Sequence, residues 1–240
     1  AHIISRMGSE GDEEEDEVDQ TVYSLEDDKR LNLEYYKNGI LHFFLPVCFV
    51  AQSILISQDD DIVVQSLEDD YQFFKRLFWN EFIFDIERSD LDDVHDVLDY
   101  LYASDMISED DARSKERITV RAKGRSTLAP FAGLIQNYIE SYWVVIRGCN
   151  YLKKTPLTEK DLLKKLNNLG VRMYKKGEIR RSEAMSQSNY QNALLFLRES
   201  GIVLEYESAE KPDRRDARTY CLNEDRTNLE QLRRRLFQYI

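Results

Sequence analysis

Apolar positions recur three and four residues apart over most of the chain, which predicts a mainly α protein with short β-hairpins. One stretch departs from that rhythm. Ile40–Ile56, ILHFFLPVCFVAQSILI, is seventeen residues of nearly unbroken apolar character inside a first folded segment running from Leu31 to Ser57. It sits at the lower limit of the roughly 17 to 25 residues that cross a bilayer. His42, Pro46, Gln52 and Ser53 interrupt it, so a buried or membrane-facing helix is expected rather than a span. Pro46 lacks a backbone donor and should break the helix around Leu45 unless it falls near a helix start.

Beyond this segment the periodicity is amphipathic. Leu67, Tyr71, Phe74, Phe78 and Phe82 form one stripe of a helix from about Leu67 to Ile83. Asp90 reads as the N-cap of a second helix, with Asp93 three residues on and Leu91, Val94, Leu98 and Leu101 at helical spacing. Met106-Ile107 and Arg117–Val120 flank the polar turn Ser108–Glu116 and read as a hairpin. A long helix from about Ser126 to Leu152 carries Leu128, Phe131, Ile135, Tyr138, Tyr142, Val145 and Cys149, and is expected to be the central packing element. Thr155-Pro156 ends it, and Thr158 caps a helix with Leu162, Leu166, Leu169 and Met173. Ser182 should introduce another, carrying Tyr190, Ala193, Leu194 and Leu197 and closed by Gly201. Ile202–Glu207 and Thr219–Asn223 then form a hairpin around Ser208–Ala217, and Leu229, Leu232, Leu236 and Ile240 line a last helix. The order helix, helix, hairpin therefore occurs twice, at about Leu67–Val120 and Thr158–Asn223, giving two winged-helix-like units without residue-level self-similarity. The expected organisation is an acidic segment 1–28, a helical region 29–152 that includes the apolar segment 40–56, and a winged-helix-like domain 153–240.

Charge adds an asymmetry. Ala1–Asp28 holds eleven acids against Arg6 alone, too polar to bury a core and expected to be disordered. Cys149–Ile240 instead has nineteen Lys and Arg against thirteen Asp and Glu, within a chain of net charge -12. A basic surface for phosphate or anionic lipid and a solvated cationic helix face both fit that balance, and the solvated face is favoured. The mean hydropathy of -0.56 excludes a polytopic membrane protein, and nine glycines and four prolines are too few for a loop-dominated fold. Cys48, Cys149 and Cys221 lie far apart with no C-x-x-C pair, so neither a zinc ribbon nor a disulfide framework is encoded and a reducing compartment fits. The opening has no basic region followed by an apolar one, so no secretory signal is read, and the start at Ala1 suggests a fragment of a longer chain.

Candidate chemistry is sparse. The histidines are His2, His42 and His95. His95 stands among Asp92, Asp93, Asp96 and Asp99, where a solvated acidic face is favoured over a metal site. No G-x-S-x-G, Walker loop or G-x-G-x-x-G is present, and no self-contained active site, metal or cofactor is called for. Tyr36, Lys37, Asn38 and His42 stand at the mouth of the apolar segment, Asn38 and His42 at i,i+4. They suit a lipid headgroup or the capping of a core; the core is favoured, because buried His and Asn usually satisfy each other or the backbone.

The stretch LEYYKNGILHFFLPVCFVAQSIL, from Leu33 to Leu55, resembles the segment that opens the C-terminal region of membrane-bound glycerol-3-phosphate acyltransferases of the bacterial PlsB type. The aromatic helix near Phe73–Phe84, FAGLIQNYIESYWVV and RRSEAMSQSNYQNALLFLRESGIV are similar to later segments of that family in the same order, from Asn32 to about Ile240. Family members carry an upstream domain in which the His and Asp of an H-x-x-x-x-D motif transfer an acyl chain from acyl-CoA or acyl carrier protein to glycerol-3-phosphate, giving lysophosphatidate. Here Met7, Val47 and Tyr100 stand five residues after the three histidines, and no FPEGTRSR-like phosphate-binding segment is present. The resemblance therefore implies a non-catalytic C-terminal region, inactive alone, that buttresses the upstream acyltransferase domain and its membrane-facing acyl channel. Tyr36, Lys37, Asn38 and His42 would lie near substrate or channel. The implied partners are that domain, membrane phospholipid, and the acyl donor through the complete enzyme, at the cytoplasmic face of a membrane. A nucleic-acid-binding winged-helix regulator using Ser182–Ser200 with Arg180 and Arg181, and a stand-alone helical protein-interaction module, are the alternatives. The net charge of -12 opposes the first.

Overall fold

The computed structural model describes residues 5–7, 22–24, 33, 36–109, 116–153, 155–207 and 218–240. The chain forms two compact units, Ala1–Phe43 and Phe44–Ile240. In the first, β1 (Ser5–Met7) pairs antiparallel with β2 (Val22–Ser24), placing Arg6 opposite Tyr23. This hairpin lies inside the segment expected to be disordered. Val22 and Tyr23 are strand-forming residue types that the average charge of the segment conceals. The acidic run between the strands lies outside the described residues, as do most of the turn after Ser108 and the turn 208–217. Residues 36–40 are helical and lead into a 3-10 turn, Leu41–Phe44.

The second unit is mainly α, with seven α-helices and two three-stranded antiparallel sheets among the described residues. Its first half runs α1 (Leu45–Ile56), β3 (Asp61–Val63), α2 (Val64–Leu77), α3 (Asp90–Ala103), β4 (Ile107–Glu109) and β5 (Arg117–Val120). The second half repeats that order with α4 (Ala122–Gly148), β6 (Leu157–Thr158), α5 (Glu159–Lys175), α6 (Gln187–Glu199), β7 (Val203–Glu207) and β8 (Arg218–Leu222). α7 (Thr227–Phe237) closes the chain. The sheets are β3-β5-β4 and β6-β8-β7, with Ile62 opposite Ile118 in one and Leu157 opposite Tyr220 in the other. The strand order matches as well as the element order, so the two winged-helix-like halves are topological copies. β3 and β6 extend the expected hairpins to three strands; at three and two residues they are too short to display alternation.

Local signals set most helix ends. Ser89, not Asp90, caps α3, accepting from the Leu91 amide. Thr158 accepts from the Asp161 amide at 3.2 Å, as its position predicts. Ser182 opens only a 3-10 turn, Ser182–Ala184, and Ser186 caps α6 instead. Gly201 takes φ +67° after α6 while the Ile202 amide returns to the Leu197 carbonyl, which is how a left-handed C-terminal turn closes. α2 ends at Leu77 rather than Ile83, because Phe82 turns to pack on Tyr138, ring centroids 4.9 Å apart. Pro46 falls in the first turn of α1, where its missing donor costs nothing, and the chain breaks at Phe44/Leu45.

α1 packs against α2, α3 and α4, while α4 also meets α5, α6 and α7. Aromatic rings fill the first of these contacts. Phe49 is fully buried against Tyr71, Phe74 and Phe78, and Phe78 meets Tyr142 edge-on at 5.1 Å. Such pairs add ~0.5–1.5 kcal/mol each beyond the area they bury. Two buried polar clusters are partnered across elements. Gln52 donates to the Ala132 carbonyl and to Gln136 Oε1, each at 2.9 Å, and Gln136 donates to the Tyr239 carbonyl at 2.9 Å. Ser141, fully buried, bonds to the Ala184 carbonyl at 2.8 Å and accepts from Asn189.

α1 has no cation in its last turn, and Arg125 of α4 supplies one. Its guanidinium donates to the carbonyls of Ile54, Ser57 and Asp59 at 3.1, 3.0 and 2.8 Å and pairs with Asp60. Arg125→Ala should therefore cost about 2–3 kcal/mol in urea unfolding, and Arg125→Lys, a point charge without the fork, should recover less than half. Gly124 lies so close to the first half that an added Cβ would meet the Met106 carbonyl oxygen at 2.4 Å. Gly124→Ala is expected to lose ~1–3 kcal/mol in the same measurement, because backbone cannot step aside as a side chain can.

Candidate membrane-facing site

The apolar sequence segment divides into two physically different parts. From Leu45 onward it is core: Leu45, Cys48, Phe49, Val50, Ala51 and Ile54 are all at most 2% exposed. α1 has no polar face to show water, which explains the unbroken apolar run there. In the unit Ala1–Phe43, by contrast, Tyr36, Ile40 and Phe43 are 62%, 55% and 73% exposed. Their spacing of four and three is that of one helical face, so the apolar side of this stretch points outward. The whole run Tyr36–Ile56 is long and apolar enough to cross a membrane by length and composition, and half of it is buried.

The four residues singled out at the mouth of this segment are sorted by the structure. Tyr36, Asn38 and His42 are exposed and Lys37 is half-buried. The His42 ring lies against that of Phe43, centroids 3.9 Å apart. The expected burial of Asn38 and His42 in a core is thus corrected. Polar residues beside an apolar run show that a boundary is near without showing which side of it they occupy.

Other chemistry sits in the second unit. His95 is exposed, its Nε2 3.7 Å from Glu68. Among the described residues no three His, Cys, Asp or Glu side chains gather as metal ligands. A cleft of ≈ 850 Å³ is lined by Arg76 and Arg235 but also by Asp69, Asp90 and Glu199, a mixture that does not favour an anion. Cys48 and Cys149 are buried free thiols, and burial pushes the Cys149 thiol up to about 12. Glu140, 2% exposed, accepts from the Arg180 and Arg181 amides at 3.1 and 2.9 Å and fixes the turn that carries those arginines.

Glu81 is the functional-looking carboxyl that periodicity does not reveal, although a lone acid within FWNEFIF is an available signal. It follows α2 and accepts from Asn192 of α6 at 3.0 Å, with the Tyr142 hydroxyl of α4 beside it. Among the described residues no Lys, Arg or His approaches it as an ion-pair partner. Desolvation, unopposed by a cation, raises its pKa to about 7. A carboxyl poised near neutrality is a catalytic candidate in a substrate cleft, but here it faces an amide and a phenol between packed helices, and its role is to join the two halves.

The family profile described as the glycerol-3-phosphate acyltransferase C-terminal region matches residues 1–206. No curated protein matches the chain. The match takes in the acidic N-terminal stretch, which the expected coverage from Asn32 omits, and stops short of β8 and α7, which that coverage includes.

The raised Glu81 pKa has a definite sign. Between the ordinary value of 4.5 and the folded value of about 7, the folded chain holds a proton that the unfolded chain has released. This group's contribution to stability therefore falls as pH rises through that window and is flat above it. Glu81→Gln keeps the acceptor for Asn192 and removes the charge. Thermal unfolding of the Gln variant should show a weaker decline in Tm from acid to neutral pH, and a Tm above wild type at about pH 8.

Proposed function

Because the chain belongs to the glycerol-3-phosphate acyltransferase C-terminal family, whose full enzymes carry an upstream acyltransferase domain, we propose that it is the non-catalytic region supporting that domain at a membrane. Acyl transfer to a glycerol hydroxyl needs a base in hydrogen-bond reach and fixed groups for the phosphate. His42 lies on Phe43 and His95 beside Glu68, so neither described histidine has that setting. The upstream domain would supply the dyad, and this region a packed helical scaffold and a lipid contact. The observation that carries the reading is the outward apolar face of Tyr36, Ile40 and Phe43, immediately before a helix whose own apolar residues are core. Tyr36, Lys37, Asn38 and His42 would then lie at headgroup level, where an amphipathic ring, an ammonium, an amide and an imidazole all find partners. On this reading the complete enzyme would bind acyl-CoA or acyl carrier protein, and the lipid contact would be made at the cytoplasmic face of a membrane.

Two measurements test this. The purified chain, given labelled glycerol-3-phosphate and palmitoyl-CoA, should form no lysophosphatidate; product that disappears on His42→Ala would relocate the catalytic centre here. In liposome flotation, Ile40→Asp with Phe43→Asp should lower recovery on neutral vesicles at least about tenfold, since each large apolar side chain contributes ~1.5–3 kcal/mol when buried. Equal flotation with equal circular dichroism removes the lipid contact from this stretch.

A further inference from the structure

α5 carries a charge pattern that the scaffold role leaves unused. Lys160, Lys164, Lys165, Arg172, Lys175 and Lys176 are all exposed. At 3.6 residues per turn they occupy an arc of about 160°, opposite the buried Leu162, Leu166 and Met173. The two acids of this helix are engaged at its N-terminus. Glu159 accepts from Gln191 at 3.1 Å, and Asp161 from the capping Thr158 at 2.9 Å. Among the described residues, only Lys176 of these six has an ion-pair partner, Glu178 at 4.0 Å. The patch continues beyond the helix. Tyr151 lies under Lys165 Nζ, 5.3 Å from its ring centroid, and its hydroxyl accepts from Arg172 at 2.6 Å. The adjacent Lys153 is exposed, and neighbouring Asn150 accepts from Arg233 of α7 at 3.3 Å. A cationic face with the Tyr151 ring at its edge thus extends over one side of the second half, in a chain whose net charge is -12.

Winged-helix topology raises nucleic acid as the polyanion, and the placement of charge opposes it. The third helix of each half is the one such folds insert into a groove. α3 has five Asp and no Lys or Arg. α6 has Arg198 alone, and that is paired with Glu205. The connection from Glu207 to Arg218 carries four acids and four bases. The cations without an ion-pair partner among the described residues are on the second helix instead.

We propose that the α5 face is an electrostatic docking surface for anionic phospholipid headgroups, setting how the second half lies on the bilayer. The proposal rests on the membrane reading above and adds a contact separate from the apolar stretch at Tyr36–Phe43. Each Lys or Arg at an anionic surface strengthens partitioning about fivefold, and salt screens that gain.

The test uses the full chain with phosphatidylcholine vesicles and with mixed phosphatidylcholine–phosphatidylglycerol vesicles, at low and high salt. Wild type should bind mixed vesicles more tightly, and high salt should abolish the difference. Lys164→Ala, Lys165→Ala and Lys175→Ala together should lower affinity for mixed vesicles about a hundredfold. Binding to neutral vesicles and the melting temperature should not change. The Ile40→Asp, Phe43→Asp variant should behave oppositely, losing neutral-vesicle binding and keeping the salt-sensitive increment. Loss of that increment in the lysine variant alone supports the α5 face even where the apolar variant has no effect, so the two readings fail separately. Wild-type binding of mixed vesicles by the lysine variant, or an anionic preference unmoved by salt, overturns the proposal. Salt-sensitive duplex DNA binding lost in the lysine variant also overturns it, and assigns the face to nucleic acid.

Discussion

A helical stretch enclosed on every side has no water to receive its polar groups, and the C-terminal half of α4, buried throughout 137–146, satisfies that constraint within the protein. Gln136, Asn137, Glu140 and Ser141 lie along it, and each has a partner from another element or from the helix itself. Those partners come from both halves and from the tail: Gln52 of α1, Ala184, Asn189 of α6, the Arg180-Arg181 turn and Tyr239. Removing any neighbour leaves a buried group unsatisfied, at ~1–3 kcal/mol each. α4 is the first helix of the second half and, through Arg125, the cap of the first helix of the first. Neither half can be lifted away intact, and the pair should unfold as one cooperative body.

The repeated topology explains how one helix can serve twice. Each half needs a first helix to pack on its second and third helices. α1 does this for one half and α4 for the other, and their mutual contact joins the copies. Asp70 of α2 extends the same arrangement to the C-terminus, bonding Ser53 at 2.5 Å and Arg235 of α7 at 2.7 Å. The Arg235 guanidinium also lies 4.8 Å from the Phe73 ring centroid. α7 falls beyond the stretch matching the family profile, yet Asp70 and Phe73 of α2 hold its Arg235.

Much of this was legible in the chain because helix signals are local. The stripe Leu128, Phe131, Ile135, Tyr138, Tyr142, Val145 and Cys149 is buried as its spacing predicts except at Phe131, which is half-buried, and Thr158 caps the helix it precedes. Misplaced boundaries arise where local chemistry is degenerate. Ser182 and Ser186 are the same residue type four apart, and only packing of the intervening turn on α4 selects the second. Ser89 and Asp90 compete as caps in the same way. β3 and β6 depend on partners fifty or more residues away and leave no pattern of their own. The candidate site was legible as a segment but not as a geometry. An apolar run that passes from exposed to buried reads the same throughout, and the turn at Leu41–Phe44 that separates the two parts is signalled by Pro46 alone. The carboxyls with the most unusual surroundings, Glu81 and Glu140, are defined by what folds over them.

The buried thiols give the protein an internal clock. Cys149, held protonated at neutral pH and 2% exposed at the end of α4, cannot react as a thiolate while the helix keeps its neighbours. Cys48 is enclosed in the first turn of α1, whereas Cys221 on β8 is half-open to solvent. An alkylating reagent therefore meets one accessible cysteine in the native state and two that become reactive only during excursions of the core. The ratio of slow to fast modification counts those excursions directly. α1 and α4 each contribute one of the protected thiols, so the two rates would reveal whether the halves ever open independently or only together.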